Sequence, residues 1–179
     1  MMPIPEIWDN SWAVLRAYWY FRQATEMGAK VRVWGRPSVR NKGRMIIGNR
    51  VRLISTMATT ELVSGDDGLL EIGDGTIINY GCSIAATELI RFGTDCSIGT
   101  HVLMMDNDFH HIEPELRNER PESSPIILED NVWVGGRAII LRGVTIGHDS
   151  VIGAGSVVAR NIPPRSVAMG FPARVIRTF

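Results

Sequence analysis

The sequence predicts an all-β solenoid with an N-terminal helix and a protruding loop at about residues 106–125. The main observation is a six-residue period between residues 128 and 163. Each row opens with an aliphatic residue: Leu128, Val134, Ile140, Ile146, Ile152 and Val158. The fifth place of the first five rows is small or β-branched: Val132, Ala138, Val144, Ser150 and Ser156. Such rows indicate units that bury their apolar faces against one another.

Glycine marks the second place of several rows, at Gly135, Gly147 and Gly153. A period of six is far too short for helical repeats and suits short strands joined by tight turns, which glycine permits. Three rows would close a triangular coil of about 18 residues, and stacked coils would rise by about 4.8 Å. The period itself does not determine the handedness of the coil.

Length, charge and cysteine content limit the alternatives. The 179 residues suit one domain with an appendage, divided here into an N-terminal helical segment at 1–28 and a β-helix domain at 29–179. Lys and Arg balance Asp and Glu, so the net charge gives no argument for nucleic-acid binding. Cys82 and Cys96 fall at the fifth place of rows, which predicts buried free thiols in a reducing compartment. We see no signal peptide and no membrane-spanning segment, and therefore expect a cytoplasmic protein.

Residues 6–26 predict a helix with one apolar stripe at helical spacing, formed by Trp8, Trp12, Leu15 and Trp19. The favoured interpretation is a helix that packs against the end or side of the solenoid, where it caps an open edge. Arg16 and Arg22 lie among the aromatic residues. An interfacial helix that docks on the inner face of the membrane therefore stays an alternative.

Residues 29–57 predict irregular first coils and carry a basic run. Between residues 27 and 60 the chain has eight Lys or Arg and no acid, whereas residues 61–130 hold 15 of the 19 acids. Because strand side chains alternate, part of this run would form one exposed band. The band would attract an anionic acceptor, such as a phosphate-bearing glycan or a lipid head group. A solvated edge or a subunit contact stays equally open.

The stretch 106–125 interrupts the rows completely. It is polar and proline-rich, and it contains two of the four histidines, His110 and His111. An insertion of this kind loops out from a coil, and functional residues concentrate on loops that a rigid scaffold holds. We therefore look for a site here.

Residues 72–177 closely resemble the galactoside and maltose acetyltransferase branch of the hexapeptide-repeat family. The likeness rests on the tail DNVWVGGRAIILRGVTIGHDSVIGAGSVVARNIPPRSVAMGFPARVIR, on His110 followed by ELR at 115–117, and on Asn79 in IGDGTIINYG. The resemblance implies a left-handed parallel β-helix that assembles as a homotrimer. It also implies transfer of an acetyl group from acetyl-CoA to a sugar hydroxyl.

The resemblance further implies that His110 is the catalytic base and that Asn79 lies beside the acceptor. A sugar hydroxyl is a poor nucleophile at neutral pH, and a histidine can take its proton and return it to the CoA thiolate. A backbone N–H at Gly135 or Gly136 is expected to stabilise the oxyanion. Direct transfer is expected, since neither cysteine lies in the loop. Candidates to orient the imidazole are three carboxylates, Asp108, Glu113 and Glu115.

The same resemblance implies the acetyl-CoA contacts, and no metal is expected. The cofactor-binding residues are Gly136, Ala154, Ala159, Arg160, Arg174 and Arg177. Small residues would let the pantetheine arm lie along a groove between coils. Arginines suit the nucleotide phosphates.

The acceptor side departs from the galactoside and maltose enzymes. The N-terminal helical segment that carries one of their acidic sugar contacts has no counterpart that we can place in this sequence. Their further acidic contact would fall near Thr87, which is not acidic, although Glu88 is adjacent. The aromatic N-terminal segment and the basic first coils look more like acetyltransferases that modify capsule, exopolysaccharide or lipopolysaccharide units. Three alternatives stay open: an N-acetyltransferase on an amino sugar, a zinc enzyme of the carbonic-anhydrase type, and a non-catalytic trimeric scaffold. For zinc, the four histidines have the number but not the spacing.

Overall fold

The computed structural model describes residues 4–179, with side chains from residue 10 onward. It is a β-solenoid of about seven turns in which each coil contributes one strand to each of three sheets. Helix α1 (Ile4–Tyr20) precedes the first coil. The predicted solenoid with an N-terminal helix is confirmed, and the segment outside the strands at 106–125 has the predicted bounds.

The three sheets, named A, B and C here, run side by side along the solenoid. Sheet A contains β1 (Glu26–Met27), β4 (Arg44–Ile47), β7 (Leu69–Ile72), β10 (Leu89–Phe92), β13 (Ile126–Leu128) and β16 (Thr145–Ile146). Sheet B contains β2 (Arg32–Gly35), β5 (Arg52–Ser55), β8 (Ile77–Ile78), β11 (Ser97–Ile98), β14 (Trp133–Val134), β17 (Val151–Ile152), β19 (Ser166–Gly170) and β20 (Ala173–Thr178). Sheet C contains β3 (Ser38–Asn41), β6 (Glu61–Ser64), β9 (Ser83–Ala86), β12 (Leu103–Met105), β15 (Ile139–Ile140) and β18 (Val157–Val158). Paired strands are parallel except β19 and β20, which are antiparallel.

The core follows the row pattern. The residues that open the six rows are all buried: Leu128, Val134, Ile140, Ile146, Ile152 and Val158. The fifth-place residues are buried as well. Each fully buried aliphatic side chain contributes roughly 1.5–3 kcal/mol. The stack of rows is therefore a continuous source of stability along the solenoid.

The coils are regular only in the C-terminal part. Ile127 pairs with Thr145, 18 residues later, as the six-residue rows predict. Upstream, Arg44 pairs with Leu69, 25 residues later, and Leu69 pairs with Leu89, 20 residues later. Four-residue strands in sheets A and C replace the two-residue strands of the regular coils and take up much of the extra length.

The second-place glycines have a different role from the predicted one. Their φ angles are not positive, and the left-handed turn positions belong to other residues, such as Asp149 and Gly155. A Cβ on Gly147 would lie 2.4 Å from the backbone nitrogen of Pro164 in the next coil. These glycines are therefore required by the close stacking of neighbouring coils rather than by the turn.

Helix α1 caps the first coil with small residues and Phe21. Ala13 and Ala17 are buried on its inner face, Phe21 follows it into the core, and the helix packs against β2. It ends at Tyr20, earlier than the predicted residue 26, because the chain already pairs with sheet A at Thr25. The predicted packing of the helix against the end of the solenoid is confirmed.

The aromatic stripe of α1 faces away from the solenoid. Trp12, Leu15 and Trp19 are more than half exposed, and the side chain of Trp8 lies outside the described residues. Tyr18 is 62% exposed beside them. No helix within residues 4–179 is long and apolar enough to cross a membrane.

Candidate active site

The base of the loop 106–125 is fixed by a buried aspartate. Asp106 directly follows β12, and its carboxylate accepts hydrogen bonds from the backbone N–H groups of Thr87, Glu88 and Leu89 at 2.7–2.8 Å. It also accepts from the Thr87 hydroxyl at 2.7 Å. These bonds hold the start of the loop on the corner of the preceding coil.

A second buried residue closes the loop. Asn107 donates from Nδ2 to the carbonyl of Pro121 at 2.8 Å and to the hydroxyl of Ser123 at 2.9 Å. Its Oδ1 accepts from the backbone N–H of Phe109 at 2.6 Å. Phe109, which directly precedes His110, has a left-handed backbone with φ 61°, a conformation that is uncommon outside glycine. Our interpretation of the sequence missed Asp106 and Asn107, although an Asp-Asn pair directly after an apolar row is a recognisable turn signal.

His110 presents one free ring nitrogen to solvent. Its Nδ1 lies 2.9 Å from the carbonyl oxygen of Arg117. A carbonyl can only accept, so Nδ1 carries the ring proton and Nε2 of the neutral imidazole keeps a lone pair. The geometry therefore leaves Nε2 as a proton acceptor at the exposed side of the loop.

The prediction that a carboxylate orients His110 is wrong, since the orienting group is a backbone carbonyl. Asp108 instead forms an ion pair with Arg142. Glu113 lies 3.9 Å from His111. Asp108 therefore pairs with a cation outside the loop and Glu113 lies beside His111, whereas the carbonyl of Arg117 belongs to the turn after the short 3₁₀ helix Pro114–Leu116.

Asn79 lies at a different corner of the solenoid. Its Nδ2 donates to the carbonyl of Ile98 at 3.0 Å, and its own backbone carbonyl accepts from the Thr60 hydroxyl at 3.0 Å. Both bonds tie it to neighbouring coils. The side-chain Oδ1, an acceptor, takes no part in either bond and is the atom left for a ligand.

The two candidate oxyanion donors differ in whether their backbone N–H group already donates a hydrogen bond within the solenoid. The Gly135 N–H donates to the carbonyl of Ile152 at 2.8 Å, so it belongs to the solenoid ladder. Within residues 4–179 the Gly136 N–H has no backbone acceptor. Of the predicted pair, Gly136 is therefore the one available to an incoming oxygen.

The residues predicted to hold CoA lie on the last coils and on β20. Ala154, Ala159 and Arg160 are exposed at corners of the solenoid, and Gly136 is partly exposed. Arg174 donates to the carbonyl of Ala173, and Arg177 stacks over Phe179 at 5.3 Å. None of the three arginines forms an ion pair with a carboxylate among the described residues, so their charge is available for phosphates.

One chain places these residues on two opposite edges of sheet C. Asn79, Gly136 and Ala154 lie in turns between sheets B and C, whereas the His110 loop and Arg160 lie in turns between sheets C and A. The strands of sheet C separate the two groups. A single copy therefore does not bring the predicted base and the predicted acceptor contact together.

Cys82 and Cys96 are buried free thiols, as the rows predict. Burial raises the pKa of each thiol to about 11. Both sulfurs donate to backbone carbonyls, Cys82 to Gly99 and Cys96 to Glu129. They are neutral at physiological pH and unsuited to nucleophilic attack. Among the described residues, no group of three or more His, Cys, Asp or Glu is placed to hold a metal ion.

Comparison with known proteins identifies relatives over most of the chain. The family described as the hexapeptide repeat of succinyl-transferase matches residues 125–160. Galactoside O-acetyltransferase of Escherichia coli (strain K12) is 40% identical over 109 residues, which are 60% of this chain and 53% of the relative. A Staphylococcus aureus (strain COL) protein named as an acetyltransferase is 35% identical over 149 residues, 79% of this chain and 72% of the relative. The chain spans about half the length of the first curated relatives it matches.

Solved structures share the architecture. A galactoside acetyltransferase in complex with coenzyme A has a TM-score of 0.67 and 30% identity, and the match covers 91% of this chain and 69% of that one. A hexapeptide-repeat acetyltransferase of Vibrio cholerae in complex with acetyl coenzyme A has a TM-score of 0.66 and 25% identity, over 92% of this chain and 76% of that one. The solenoid, its rows and these relatives agree: the chain belongs to the hexapeptide-repeat acetyltransferase family and is similar to its galactoside O-acetyltransferases.

Proposed function

We propose that this chain transfers an acetyl group from acetyl-CoA to a sugar hydroxyl, with His110 as the general base. The observation that carries the proposal is the contact of His110 Nδ1 with the carbonyl of Arg117. It fixes the tautomer in which Nε2 can accept a proton. Relatives that hold coenzyme A or acetyl coenzyme A on the same fold support the donor.

One histidine is sufficient for both proton transfers of the proposed reaction. Nε2 of His110 takes the hydroxyl proton while the sugar oxygen bonds to the thioester carbonyl carbon, and the carbonyl electron pair moves to oxygen. The N–H of Gly136 donates to this oxyanion. When the C–S bond breaks, the imidazolium returns its proton to the departing sulfur. No acyl-enzyme is required, in agreement with the neutral, buried Cys82 and Cys96.

Asn79 is assigned to the acceptor. Its Nδ2 is held by Ile98, which orients Oδ1 as a fixed acceptor for a sugar O–H. Because Asn79 and His110 lie on opposite edges of sheet C, we propose that the complete site forms between copies of the chain in a homotrimer. The donor side would use the small residues Gly136, Ala154 and Ala159 for the pantetheine arm and the exposed arginines for the nucleotide phosphates: Arg160, Arg174 and Arg177.

The proposed acceptor is a unit of a surface polysaccharide: capsule, exopolysaccharide or lipopolysaccharide. Two features support it. The first coils are rich in arginine, and the aromatic side chains of α1 are exposed. Such a helix can rest on a membrane surface where these polysaccharides are assembled. The protein would then work in the cytoplasm, at the inner face of the membrane.

CoA release from acetyl-CoA across a panel of sugars and oligosaccharide units tests the reaction. The wild type, His110→Ala and the matched control His148→Ala are compared, since His148 is an exposed histidine outside the loop. Its ring contacts the neighbouring Asp149, and its backbone N–H, which the substitution keeps, donates to the Glu129 carboxylate. We expect acceptor-dependent release that falls about 10²–10⁴-fold in His110→Ala and stays near normal in His148→Ala. Near-normal turnover in His110→Ala would remove this residue from the reaction.

Mixing inactive copies tests the shared site. His110→Ala and Asn79→Ala proteins are each expected to be nearly inactive. Subunits exchanged between them in equal amounts would form sites with one intact His110 and one intact Asn79, and recover about a quarter of wild-type activity. If the mixture stayed as inactive as its components while subunits exchanged, the two residues would belong to the same copy.

A further inference from the structure

A groove runs from helix α1 along sheet B to Asn79. It consists of three adjoining cavities of about 430, 590 and 460 Å³. The first two share Arg16, Gly35 and Arg36, and the last two share Trp34 and Thr56. The third cavity ends at Asn79.

The groove carries positive charge that no acidic lining residue offsets. Arg16 and Arg36 line its first two cavities, and Arg52 lines the third. None of the residues that line the three cavities is acidic. None of these arginines forms an ion pair among the described residues. Arg32 lies directly beside Arg52 in register on sheet B, an arrangement of like charges that is unfavourable unless an anion offsets it.

The groove is in register with the candidate acceptor residue. Trp34 pairs with Ile54, and Asn79 occupies the next position of the same column on the following coil. Two strand spacings separate Trp34 from Asn79, about 10 Å. A ligand whose hydroxyl lies at Asn79 therefore extends away from the reacting end toward the arginines, past the ring of Trp34.

We infer that the groove binds a phosphate group carried by the acceptor sugar, so that the acceptor is a sugar phosphate or diphosphate rather than a neutral sugar. A carboxylate carries one charge and suits one guanidinium. A phosphate ester or diphosphate carries two or more charges and several acceptor oxygens, which suits arginines from two or three different elements. The inference rests on the proposed function for the role of Asn79, but the binding site stands on the groove itself.

Binding measurements distinguish a phosphate-bearing ligand from a neutral sugar and from a sugar that carries a carboxylate. Isothermal titration calorimetry of the full chain would compare glucose, glucuronic acid, glucose 1-phosphate and the same sugar phosphate with a farnesyl chain. The variants are Arg36→Gln, the charge-keeping Arg36→Lys, and the control Arg44→Gln, which removes an exposed charge of the same basic run from sheet A. Thermal melts check that each variant is folded.

We expect glucose 1-phosphate to bind best of the three soluble sugars. Arg36→Gln should weaken this binding about 10–100-fold, Arg36→Lys should weaken it less, and Arg44→Gln should leave it within about twofold. Tighter binding of the farnesyl form that is lost in Trp12→Ala would identify a lipid-linked source, and equal binding of both forms a free sugar phosphate. The inference is overturned if glucuronic acid or glucose binds as well as the phosphate, if no phosphate binds, or if Arg36→Gln behaves like Arg44→Gln. It is also overturned if Arg36→Gln changes only the oligomeric state, since the groove would then be a subunit contact.

Acetyl transfer to the same sugars distinguishes failure of this inference from failure of the proposed function. Arginine-dependent phosphate binding without any CoA release would leave the groove site standing and remove the transferase. CoA release that is equal for glucose and glucose 1-phosphate would leave the transferase standing and remove the phosphate site.

Discussion

The regular coils at residues 126–158 and helix α1 both bury apolar side chains, but they distribute the burial differently. In the coils, each residue that opens a row is in register with the row-opening residue of a neighbouring coil, so the same contact is repeated along the solenoid. In α1 the buried face consists of small residues and ends at Phe21, while Trp12 and Trp19 stay exposed. The coils therefore share their stability among many rows, whereas the helix is attached mainly through Phe21, with the partly buried Tyr20 beside it.

The largest expected effect follows from this dependence. Phe21→Ala removes the only large aromatic residue that the helix region places in the described core, and we expect the free energy of unfolding to fall by about 3–5 kcal/mol. Trp19→Ala is the matched control, since Trp19 is 65% exposed, and we expect a change within about 0.5 kcal/mol. Urea denaturation of both variants measures the difference. A large loss in Trp19→Ala would mean that the exposed face is covered in the assembled protein.

Helix α1 also shows what a pattern in the sequence can predict and what it cannot. Its apolar stripe predicted the existence and position of a helix, because large apolar residues at helical spacing are a strong signal. The stripe did not predict the buried face. The helix packs on the first coil, where Val31 and Val33 are buried, with Ala13 and Ala17 on its inner face, and close packing of a helix on a sheet favours such small residues over tryptophan. That choice depends on the tertiary surface, which no local pattern contains.

The rows could be predicted from the sequence because a single requirement, burial in the core, decides which type of residue opens each row. A residue that opens a row must fill the core, so Ile140 and Ile152 could be assigned directly. Even in these rows, the tight turn predicted as the reason for the second-place glycines was wrong. The distance between neighbouring coils decides these positions, and that distance arises only when the coils stack. Gly147 needs space against Pro164 rather than an unusual φ angle.

The second prediction separates these two reasons for glycine within the regular coils. Gly147→Ala places a Cβ 2.4 Å from the backbone nitrogen of Pro164, and we expect the free energy of unfolding to fall by about 3 kcal/mol. At Gly155, a Cβ meets nothing within 4 Å, but φ is 69°. Gly155→Ala should therefore cost only about 1–2 kcal/mol, the usual penalty of a left-handed residue. Chemical denaturation of the two variants compares them, and equal losses would contradict the role of close stacking.

The sequence predicted which residues belong to the candidate site better than it predicted the contacts that these residues make. His110 and Asn79 were named from the resemblance, but sequence could not reveal that they lie on opposite edges of sheet C, since that depends on the length of each coil. The carbonyl of Arg117 escaped prediction because a backbone group has no signature in a sequence. Asp106 escaped it because an aspartate in a polar loop resembles its exposed neighbours until the fold buries it.

The smallest loss of stability among the three main variants, Phe21→Ala, Gly147→Ala and Asp106→Asn, concerns the loop, which is neither a regular coil nor a helix. Asp106→Asn replaces one carboxylate oxygen by an N–H₂ group that cannot accept from Glu88 or Leu89, and we expect a loss of about 2 kcal/mol. Because these bonds anchor the loop that carries His110, the variant should also lose acetyl transfer, by about 10–100-fold, through a lower kcat. Asp108→Asn is the matched control, since this exposed residue pairs with Arg142 at the surface and should change stability by less than about 1 kcal/mol. Hydrogen exchange of the Glu88 and Leu89 amides reports the anchor directly. If these amides stayed protected in Asp106→Asn while transfer was lost, Asp106 would act on the reaction by another route than holding the loop.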